Sequence, residues 1–171
     1  GRLVLVDGDV FQDHNLNRQL LSREDNLGRL KAVVATERVH AINCAVEVET
    51  VARYADALGL DEMLAGTDVV VDALDRLPMR IVLQEAAAKA GVAMVHGAIA
   101  GGMGQVMTIL PGDKGLRALY GDGALPEHGA ELELGTPPAS PMMVAGWQVH
   151  EVVKLLTGQG DLLRMRMLFM D

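Results

Sequence analysis

The sequence has one cysteine, Cys44, and few aromatic residues, which make up 3% of its 171 positions. A single thiol cannot form a disulfide within the chain or supply a multi-cysteine zinc site, so neither an internal disulfide nor a structural zinc is expected. The five histidines are scattered, and no two stand at the spacing of a metal-binding motif. The low cysteine content fits a reducing cytoplasm, which is the compartment we predict.

Long hydrophobic runs and an excess of positive charge are also missing. The longest apolar candidate, residues 86–100, is interrupted by Lys89, Gly91, His96 and Gly97 and falls short of the ~20 residues of a membrane span. The formal net charge of -8 argues against nucleic acid or an anionic membrane as the main partner, because both attract clustered positive charge. A phosphate group can still be bound locally by a few Arg and Lys side chains in one cleft.

Hydrophobic residues account for 50% of the chain, and with so few aromatics the core must consist of aliphatic side chains and Met. This composition is typical of helices packed on a buried parallel sheet. Strand and helix patterns alternate through the first two thirds of the chain. We therefore predict an α/β, Rossmann-like, doubly wound, mostly parallel sheet with a C-terminal mixed-strand extension, forming a single domain over residues 1–171.

Hydrophobic periodicity places the elements. Strands are predicted at residues 3–6, 46–51, 68–74, 93–98, 105–110 and 163–170, of which 46–51 alternates and is half-exposed while 3–6, 69–71 and 93–98 are buried runs. Helices are predicted at residues 30–42, 56–65, 78–89 and 142–157. Residues 12–23 form a polar loop, 101–104 a flexible glycine-rich link, and 111–141 a long surface crossover loop.

Acidic residues follow two of the predicted strands. Asp7 and Asp9 come directly after the first strand, and Asp72 and Asp75 end a later one. In a doubly wound sheet, ligands bind beyond the carboxyl ends of the strands, and an acid there commonly accepts hydrogen bonds from a ribose. Asp-Gly is also ordinary turn chemistry, so for Asp7 alone the ribose role and a simple turn are equally supported.

Basic and amide side chains stand close by in sequence. The segment 15–19 reads Asn-Leu-Asn-Arg-Gln, and Lys31 follows in the first turn of the next predicted helix. The guanidinium of Arg18 matches phosphate oxygens, and the carboxylate of Asp75 is a suitable ligand for magnesium. Isolated basic residues usually lie on a solvated face, but here they accompany strand-end acids in an acidic chain, which favours a triphosphate site.

The order and spacing of these pieces resemble the ATP-site series of the ThiF/MoeB/HesA adenylyltransferases, whose fold ubiquitin-activating enzymes share. The resemblance covers nearly the whole chain. It is carried by Leu5-Val6-Asp7-Gly8-Asp9-Val10, Asn15-Leu16-Asn17-Arg18-Gln19, Lys31, Asp72-Ala73-Leu74-Asp75, Gly97-Ala98, Gly104-Gln105-Val106 and Leu155-Leu156-Thr157-Gly158.

The resemblance implies a function and a set of site residues. Members of the family adenylate the C-terminal glycine of a small ubiquitin-like sulfur-carrier protein and release pyrophosphate, and a homodimer is implied. The implied cofactors are ATP and Mg²⁺. Asp7 would bind the ribose, Asn15, Arg18 and Gln19 would surround the phosphates, Lys31 would contact them, and Asp75 would hold the metal. Asp9 is assigned to the same ATP site, and Arg18, Lys31 and Asp75 are predicted to carry the catalysis.

Four departures qualify this resemblance. The family's glycine-rich phosphate loop and first strand would precede Gly1, so we expect an N-terminal part to be missing. An N-terminal Arg that reaches the partner subunit's ATP site has no counterpart either. Leu74-Asp75-Arg76 replaces the usual Thr-Asp-Asn, and residues 112–141 lack the paired-cysteine zinc motifs and catalytic cysteine of many members. The last departure predicts a zinc-free member, or one that stops at the adenylate.

Two other function classes stay open at this point. A non-catalytic interaction subunit would keep the fold only to bind a partner, and a dinucleotide-dependent oxidoreductase would use Asp7 equally well, although it needs no cationic cluster at a γ-phosphate. Among the remaining residues, Cys44 is interpreted as structural, His96 as a hydrogen-bonded core histidine, and Met142, Met143 and Trp147 as packing residues. Leu116, Leu119, Tyr120 and Leu125 of the crossover loop are equally compatible with holding a partner's tail and with a simple lid.

Overall fold

The computed structural model describes residues 1–56, 59–126 and 129–171, which form two compact units. The first, Gly1–Gly59, contains strand β1 (Arg2–Val6), helix α1 (Lys31–Ile42) and strand β2 (Glu47–Val51). Two short 3-10 turns, Asp13–Asn15 and Glu24–Asn26, lie in the predicted loop between β1 and α1. Strands β1 and β2 pair in parallel, with Val4 opposite Glu49, and α1 packs against both strands through the buried Ala32 and Val34.

The second unit, Leu60–Asp171, holds a four-stranded sheet in the order β3-β4-β5-β6. Its strands are β3 (Val69–Asp72), β4 (Ala93–Ala100), β5 (Met103–Ile109) and β6 (Leu168–Met170). Its helices are α2 (Leu60–Leu64), α3 (Leu77–Ala90), α4 (Leu116–Tyr120), α5 (Glu131–Leu134) and α6 (Ala139–Thr157). Strands β3 and β4 are parallel, whereas β4-β5 and β5-β6 are antiparallel. The predicted α/β class with a mixed C-terminal extension is therefore confirmed.

The start of α3 and the ends of α3 and α6 were predicted well because they depend on local chemistry. Pro78 occupies the first turn of α3, where its missing N–H is not needed, and Gly91 ends the helix with a left-handed backbone at φ 73°. Gly158 ends α6 in the same way at φ 66°. The predicted start of the second helix at residue 56 was too early, since α2 begins at Leu60; residues 57 and 58 of that prediction lie outside the described part of the chain.

Two of the strands predicted to be buried are only partly so. Leu3 of β1 is 43% exposed and Val71 of β3 is 44% exposed. Within the described residues β1 pairs with β2 alone, and β3 lies at the edge of its sheet with β4 as its neighbour. An apolar run indicates that a segment forms a strand of a sheet, but it does not indicate how many other strands flank it. Strand β4, which has strands on both sides, is buried from Ala93 to Gly97 as predicted.

The predicted glycine link and final strand also differ from the structure. Met103 and Gly104 belong to β5, where they pair with Ala100 and Ile99, so the predicted flexible link is a tight hairpin turn at residues 101–102. The last strand spans only Leu168–Met170 because Met165 adopts a left-handed backbone at φ 54°, which interrupts the extended run.

The crossover segment is more ordered than predicted. Helices α4 and α5 fall within residues 111–141, of which Glu127 and His128 lie outside the described residues. Leu116, at the start of α4, is fully buried, and its N–H donates to Gln84 Oε1 of α3 at 2.7 Å. This part of the segment is therefore anchored to α3, and the prediction of a structureless surface loop was wrong.

Helix α6 packs closely on the sheet of the second unit. Val144 joins Val95 and Val106 in the core, and glycines permit the approach: a Cβ on Gly97 would lie 2.5 Å from Gln148 Cδ, and one on Gly104 would lie 2.6 Å from Val144 Cγ2. Met142, Met143 and Trp147 of α6 are exposed, so they do not pack in the core of the described residues as predicted. No helix among the described residues is long and apolar enough to cross a membrane.

This close approach predicts the effect of a methyl group at Gly97. Gly97→Ala is expected to lower the free energy of unfolding by about 1–3 kcal/mol, because α6 or the Gln148 side chain must move away. Gly146→Ala on the exposed side of α6 is the matched control: its Cβ meets no atom within 4 Å, and a gain of roughly 0.5–1 kcal/mol is expected from the helix preference of Ala. Urea unfolding of the full-length variants measures both, and equal stability of Gly97→Ala and wild type would contradict the packing described.

Candidate functional site

The candidate site of the first unit begins where β1 ends. Asp7 continues the strand pairing through its N–H, which donates to Val51 O at 3.2 Å. One oxygen of its carboxylate accepts the Asp9 N–H at 2.8 Å, so the Asp-Gly-Asp segment turns sharply. The turn leaves both acids at the carboxyl end of the parallel strands, where ligands bind in sheets of this class.

Asp9 connects three elements of this unit. Its carboxylate accepts Lys31 Nζ at 3.1 Å and Tyr54 Oη at 2.7 Å, and its backbone carbonyl accepts the Lys31 N–H at 2.9 Å. The hydrogen bond from Tyr54, more than the one from Lys31, holds the pKa of Asp9 below its ordinary value despite partial burial. The same contact with Asp9 raises the pKa of the Tyr54 phenol. The structure therefore brings the side chains of Asp9 and Lys31 into contact, and their assignment to an ATP site stays a prediction.

Tyr54 was missed by the sequence-based prediction. It lies just beyond β2, and its ring covers Gly8 so closely that a Cβ there would lie 2.7 Å from Tyr54 N and 2.9 Å from its ring. The strand-end rule that selected Asp7 and Asp9 applies equally to the strand ending at Val51, and it would have found Tyr54.

The segment 15–19 forms a compact turn rather than an open loop. Asn15 is buried, and its Oδ1 accepts the Gln12 N–H at 3.0 Å, so its amide oxygen stabilises the turn. Arg18 is half-buried, and its NH1 group donates to His14 O at 2.7 Å and to Asn17 Oδ1 at 3.0 Å. Gln19 is also half-buried, with its N–H bonded to Asn15 O at 2.9 Å. The turn therefore holds the Arg18 guanidinium against its own backbone.

Asp75 lies in the second unit. It is exposed in the bend between β3 and α3, three residues after Asp72. Among residues 1–56, 59–126 and 129–171, no three His, Cys, Asp or Glu side chains are grouped as a metal cage. A single exposed carboxylate still fits magnesium, which is commonly held by one or two carboxylates together with substrate phosphates and water.

His96 is a hydrogen-bonded core residue, as predicted. It is fully buried in β4, and its Nδ1 lies 2.6 Å from Asp72 Oδ2. Cys44 is exposed just beyond the end of α1.

Comparison with known proteins assigns this arrangement to a family, because the sequence profile of the ThiF family matches residues 1–171. The chain belongs to the ThiF family. It is 37% identical to the SAMP-activating enzyme E1 of Haloferax volcanii, in an alignment that covers 100% of this chain and 64% of that protein. It is 32% identical to the sulfur carrier protein ThiS adenylyltransferase of Bacillus subtilis over 93% of this chain and 48% of that protein.

Solved structures support the fold assigned to this ThiF-family chain. PaaA superposes with a TM-score of 0.79 at 23% identity, covering 100% of this chain and 53% of its own. MccB from E. coli, solved with MccA-N7isoASN, superposes with a TM-score of 0.76 at 20% identity, covering 95% of this chain and 51% of its own. The chain spans about half to two thirds of the length of the relatives and structures named here.

The Asp9–Tyr54 contact of this family member predicts a pKa change. In Tyr54→Phe the pKa of Asp9 is expected to rise towards its ordinary value, because its strongest hydrogen bond is removed while Lys31 remains. An NMR pH titration of the Asp9 carboxyl carbon measures the change. Tyr120→Phe is the control, since that phenol contacts Gln105. An Asp9 titration that is the same in Tyr54→Phe and wild type would show that the contact does not persist in solution.

Proposed function

We propose that this chain carries out ATP-dependent adenylation of a carboxylate, and that the carboxylate is the C-terminal glycine of a small ubiquitin-like sulfur-carrier protein. The observation that supports it most directly is the Asp9–Lys31 pair, in which a Lys at the start of α1 is held at the carboxyl end of β1 in a ThiF-family chain. Arg18 supplies a second cation from the turn between these two elements.

The reaction needs no nucleophile from the protein. An oxygen of the substrate carboxylate attacks the α-phosphorus of ATP, the bond to the bridging oxygen of pyrophosphate breaks, and pyrophosphate leaves with its negative charge. In this proposal Lys31 and Arg18 neutralise the charge that gathers on the phosphates, which is the usual source of rate enhancement in such transfers. Asp9 keeps the Lys31 ammonium at the strand end, and Asp7 accepts hydrogen bonds from the ribose hydroxyls.

The remaining predicted residues have supporting roles. Asp75 would hold magnesium, which would supply further neutralisation of phosphate charge. The buried Asn15 supports the turn that presents Arg18, and it keeps only its amide N–H groups for a ligand. Gln19 lies half-buried at the end of the same turn.

The names of the relatives support the proposed substrate. The Bacillus subtilis relative is a sulfur carrier protein ThiS adenylyltransferase, and a relative from Thermus thermophilus, 33% identical over 100% of this chain and 66% of that protein, is a sulfur carrier protein adenylyltransferase. For this chain we likewise propose a carrier-protein substrate, a cytoplasmic location and a homodimer. Sedimentation of the full-length protein tests the homodimer. Family membership argues against the dinucleotide-dependent oxidoreductase. ATP–pyrophosphate exchange distinguishes an enzyme from a non-catalytic interaction subunit.

The first prediction from this proposal concerns the two cations and the metal ligand. Arg18→Ala, Lys31→Ala and Asp75→Asn, made in the full-length protein, are each expected to weaken binding of Mg-ATP roughly tenfold to a hundredfold, which is the effect of losing one charge-assisted contact. Calorimetric titration gives the affinity, and ATP–pyrophosphate exchange in the presence of a ubiquitin-like carrier gives the activity.

Arg23→Ala is the matched control for Arg18→Ala. Arg23 lies in the same connection between β1 and α1, but its guanidinium pairs with Asp25 on an exposed surface. Its affinity and exchange rate are expected to equal those of the wild type. Wild-type affinity in all three site variants would refute the site, whereas ATP binding without exchange in the wild type would favour the non-catalytic subunit.

The second prediction is that no covalent bond forms between Cys44 and the carrier. Lys31 begins α1 and Cys44 follows its end, so the two are separated by roughly 16 Å or more along the helix axis at a rise of 1.5 Å per residue. If Lys31 contacts phosphate, the thiol is too far from the adenylated carboxyl group to attack it. Intact mass spectrometry without reductant, after incubation with ATP and carrier, is expected to show no adduct on Cys44. A thiol-labile adduct that is lost in Cys44→Ser would contradict the placement.

A further inference from the structure

A buried carboxylate ends strand β3. Asp72 is fully buried, and its Oδ2 accepts hydrogen bonds from Arg80 NH1 at 3.1 Å and from His96 Nδ1 at 2.6 Å. Arg80 comes from the first turn of α3 and also donates to Gly97 O. The charge of a buried carboxylate must be compensated, and here Arg80 supplies the opposite charge while His96 supplies a second donor.

The other oxygen of Asp72 contacts the loop that leads to Asp75. Asp72 Oδ1 accepts the Leu74 N–H at 3.0 Å, which folds the backbone back on itself two residues after the strand. Asp75 follows directly and is exposed. The backbone position of Asp75 therefore depends on where the Asp72 carboxylate is held.

The neighbours of His96 indicate which of its ring nitrogens carries the proton. Gln105 Nε2 lies 3.3 Å from His96 Nε2 and 3.4 Å from Tyr120 Oη. If the Gln105 amide donates to both, His96 Nε2 is an acceptor, and Nδ1–H donates to Asp72. In this tautomer Nδ1–H donates to Asp72 and Nε2 accepts from Gln105, while Arg80 NH1, which also lies 3.4 Å from His96 Nδ1, donates to Asp72 Oδ2 and to Gly97 O instead. The imidazole therefore helps to fix the orientation of the carboxylate.

The backbone at the strand ends is held from the opposite side by α6. Gln148 Nε2 donates to Asp72 O at 2.8 Å and to Val95 O at 3.2 Å. The carboxylate and the carbonyl of Asp72 are thus both fixed, by separate elements.

We infer that Asp72, His96 and Arg80 are positioning residues that hold the Leu74–Asp75 backbone so that Asp75 presents its carboxylate to the metal. This inference rests on the proposed role of Asp75 in Mg-ATP binding. The three side chains are buried or nearly so, and they act through the loop without contact with the nucleotide. His96 is the member that can be changed without removing a charge from the buried pair.

The test compares three variants of the full-length protein. His96→Leu removes both hydrogen bonds of the imidazole, and His96→Asn keeps a donor close to the position of Nδ1. Thr108→Val is the matched control, because Thr108 is equally buried in the adjacent β5 and donates to Glu151, away from the loop. Residue-resolved amide exchange reports the Leu74 N–H, with the N–H of Val106, fully buried in β5 between two strands, as the reference for global opening.

In His96→Leu the Leu74 amide is expected to exchange about tenfold faster relative to Val106, which is the effect of weakening one hydrogen bond. His96→Asn is expected to restore most of the protection, and Thr108→Val to leave the ratio unchanged. An unchanged ratio in His96→Leu would overturn the inference whether or not the protein binds ATP. If His96→Leu does not fold, Arg80→Lys, which keeps the charge but not the guanidinium geometry, is measured with the same expectation.

The second measurement compares the affinity for ATP in the presence of magnesium with the affinity for ATP in EDTA. The ratio of the two is the gain that magnesium provides. His96→Leu is expected to reduce this gain severalfold, in the direction of Asp75→Asn, while affinity for ATP in EDTA stays at the wild-type value; Thr108→Val should change neither. Faster Leu74 exchange with an unchanged magnesium gain would show that the cluster is merely structural and overturn the inference. Absence of any ATP binding by the wild type would instead refute the proposed function, and the exchange ratio alone would then decide whether the cluster fixes the loop.

Discussion

The buried charge of Asp72 constrains the second unit more than any other single feature. An unpaired carboxylate at that depth would cost several kcal/mol, so α3 must bring Arg80 to the end of β3 and β4 must place His96 beside it. Glu151 imposes a similar demand on the other side of β5. Burial alone would raise the pKa of Glu151, but hydrogen bonds from Lys154, Thr108 and the Leu163 N–H keep it below the ordinary value. These two acids fix α3 and α6 against the sheet with a specificity that aliphatic packing lacks.

Local chemistry made much of the fold predictable from the sequence. The bounds of α1 and α3 and the end of α6 follow from periodicity and from Pro78, Gly91 and Gly158, whereas α6 begins at Ala139, three residues before its predicted start. Burial was less predictable, because the apolar runs of β1 and β3 do not specify how many strands will flank them. The left-handed backbone of Met165 and the anchoring of Leu116 by Gln84 were not predictable either, since tertiary contacts rather than residue preferences determine them.

The candidate site was likewise predictable where local sequence determines it and unpredictable where tertiary contacts do. Strand-end position selected Asp9, and helix position selected Lys31, and the structure brings these two side chains into contact. Tyr54 contacts Asp9 across 45 residues of sequence, and His96 contacts Asp72 across 24. A pattern of neighbouring residues carries no information about such pairs. Only the register of parallel strands, which aligns their carboxyl ends, makes them foreseeable.

The two units solve the same electrostatic problem at different depths. In each, a cation in the first turn of a helix faces the unfavourable positive end of the helix dipole, and an acid that follows the preceding strand compensates it. Asp9 is 49% exposed beside Lys31, whereas Asp72 is fully buried beside Arg80. The Lys31 side chain is only 16% exposed, but water can hydrate the accessible Asp9 carboxylate at little cost, so Lys31 is able to exchange part of its contact with Asp9 for a phosphate oxygen. The buried pair has no such exchange open to it, because separating it would leave an uncompensated charge in the core. The exposed pair is therefore suited to ligand contact, and the buried pair is suited to holding the backbone still.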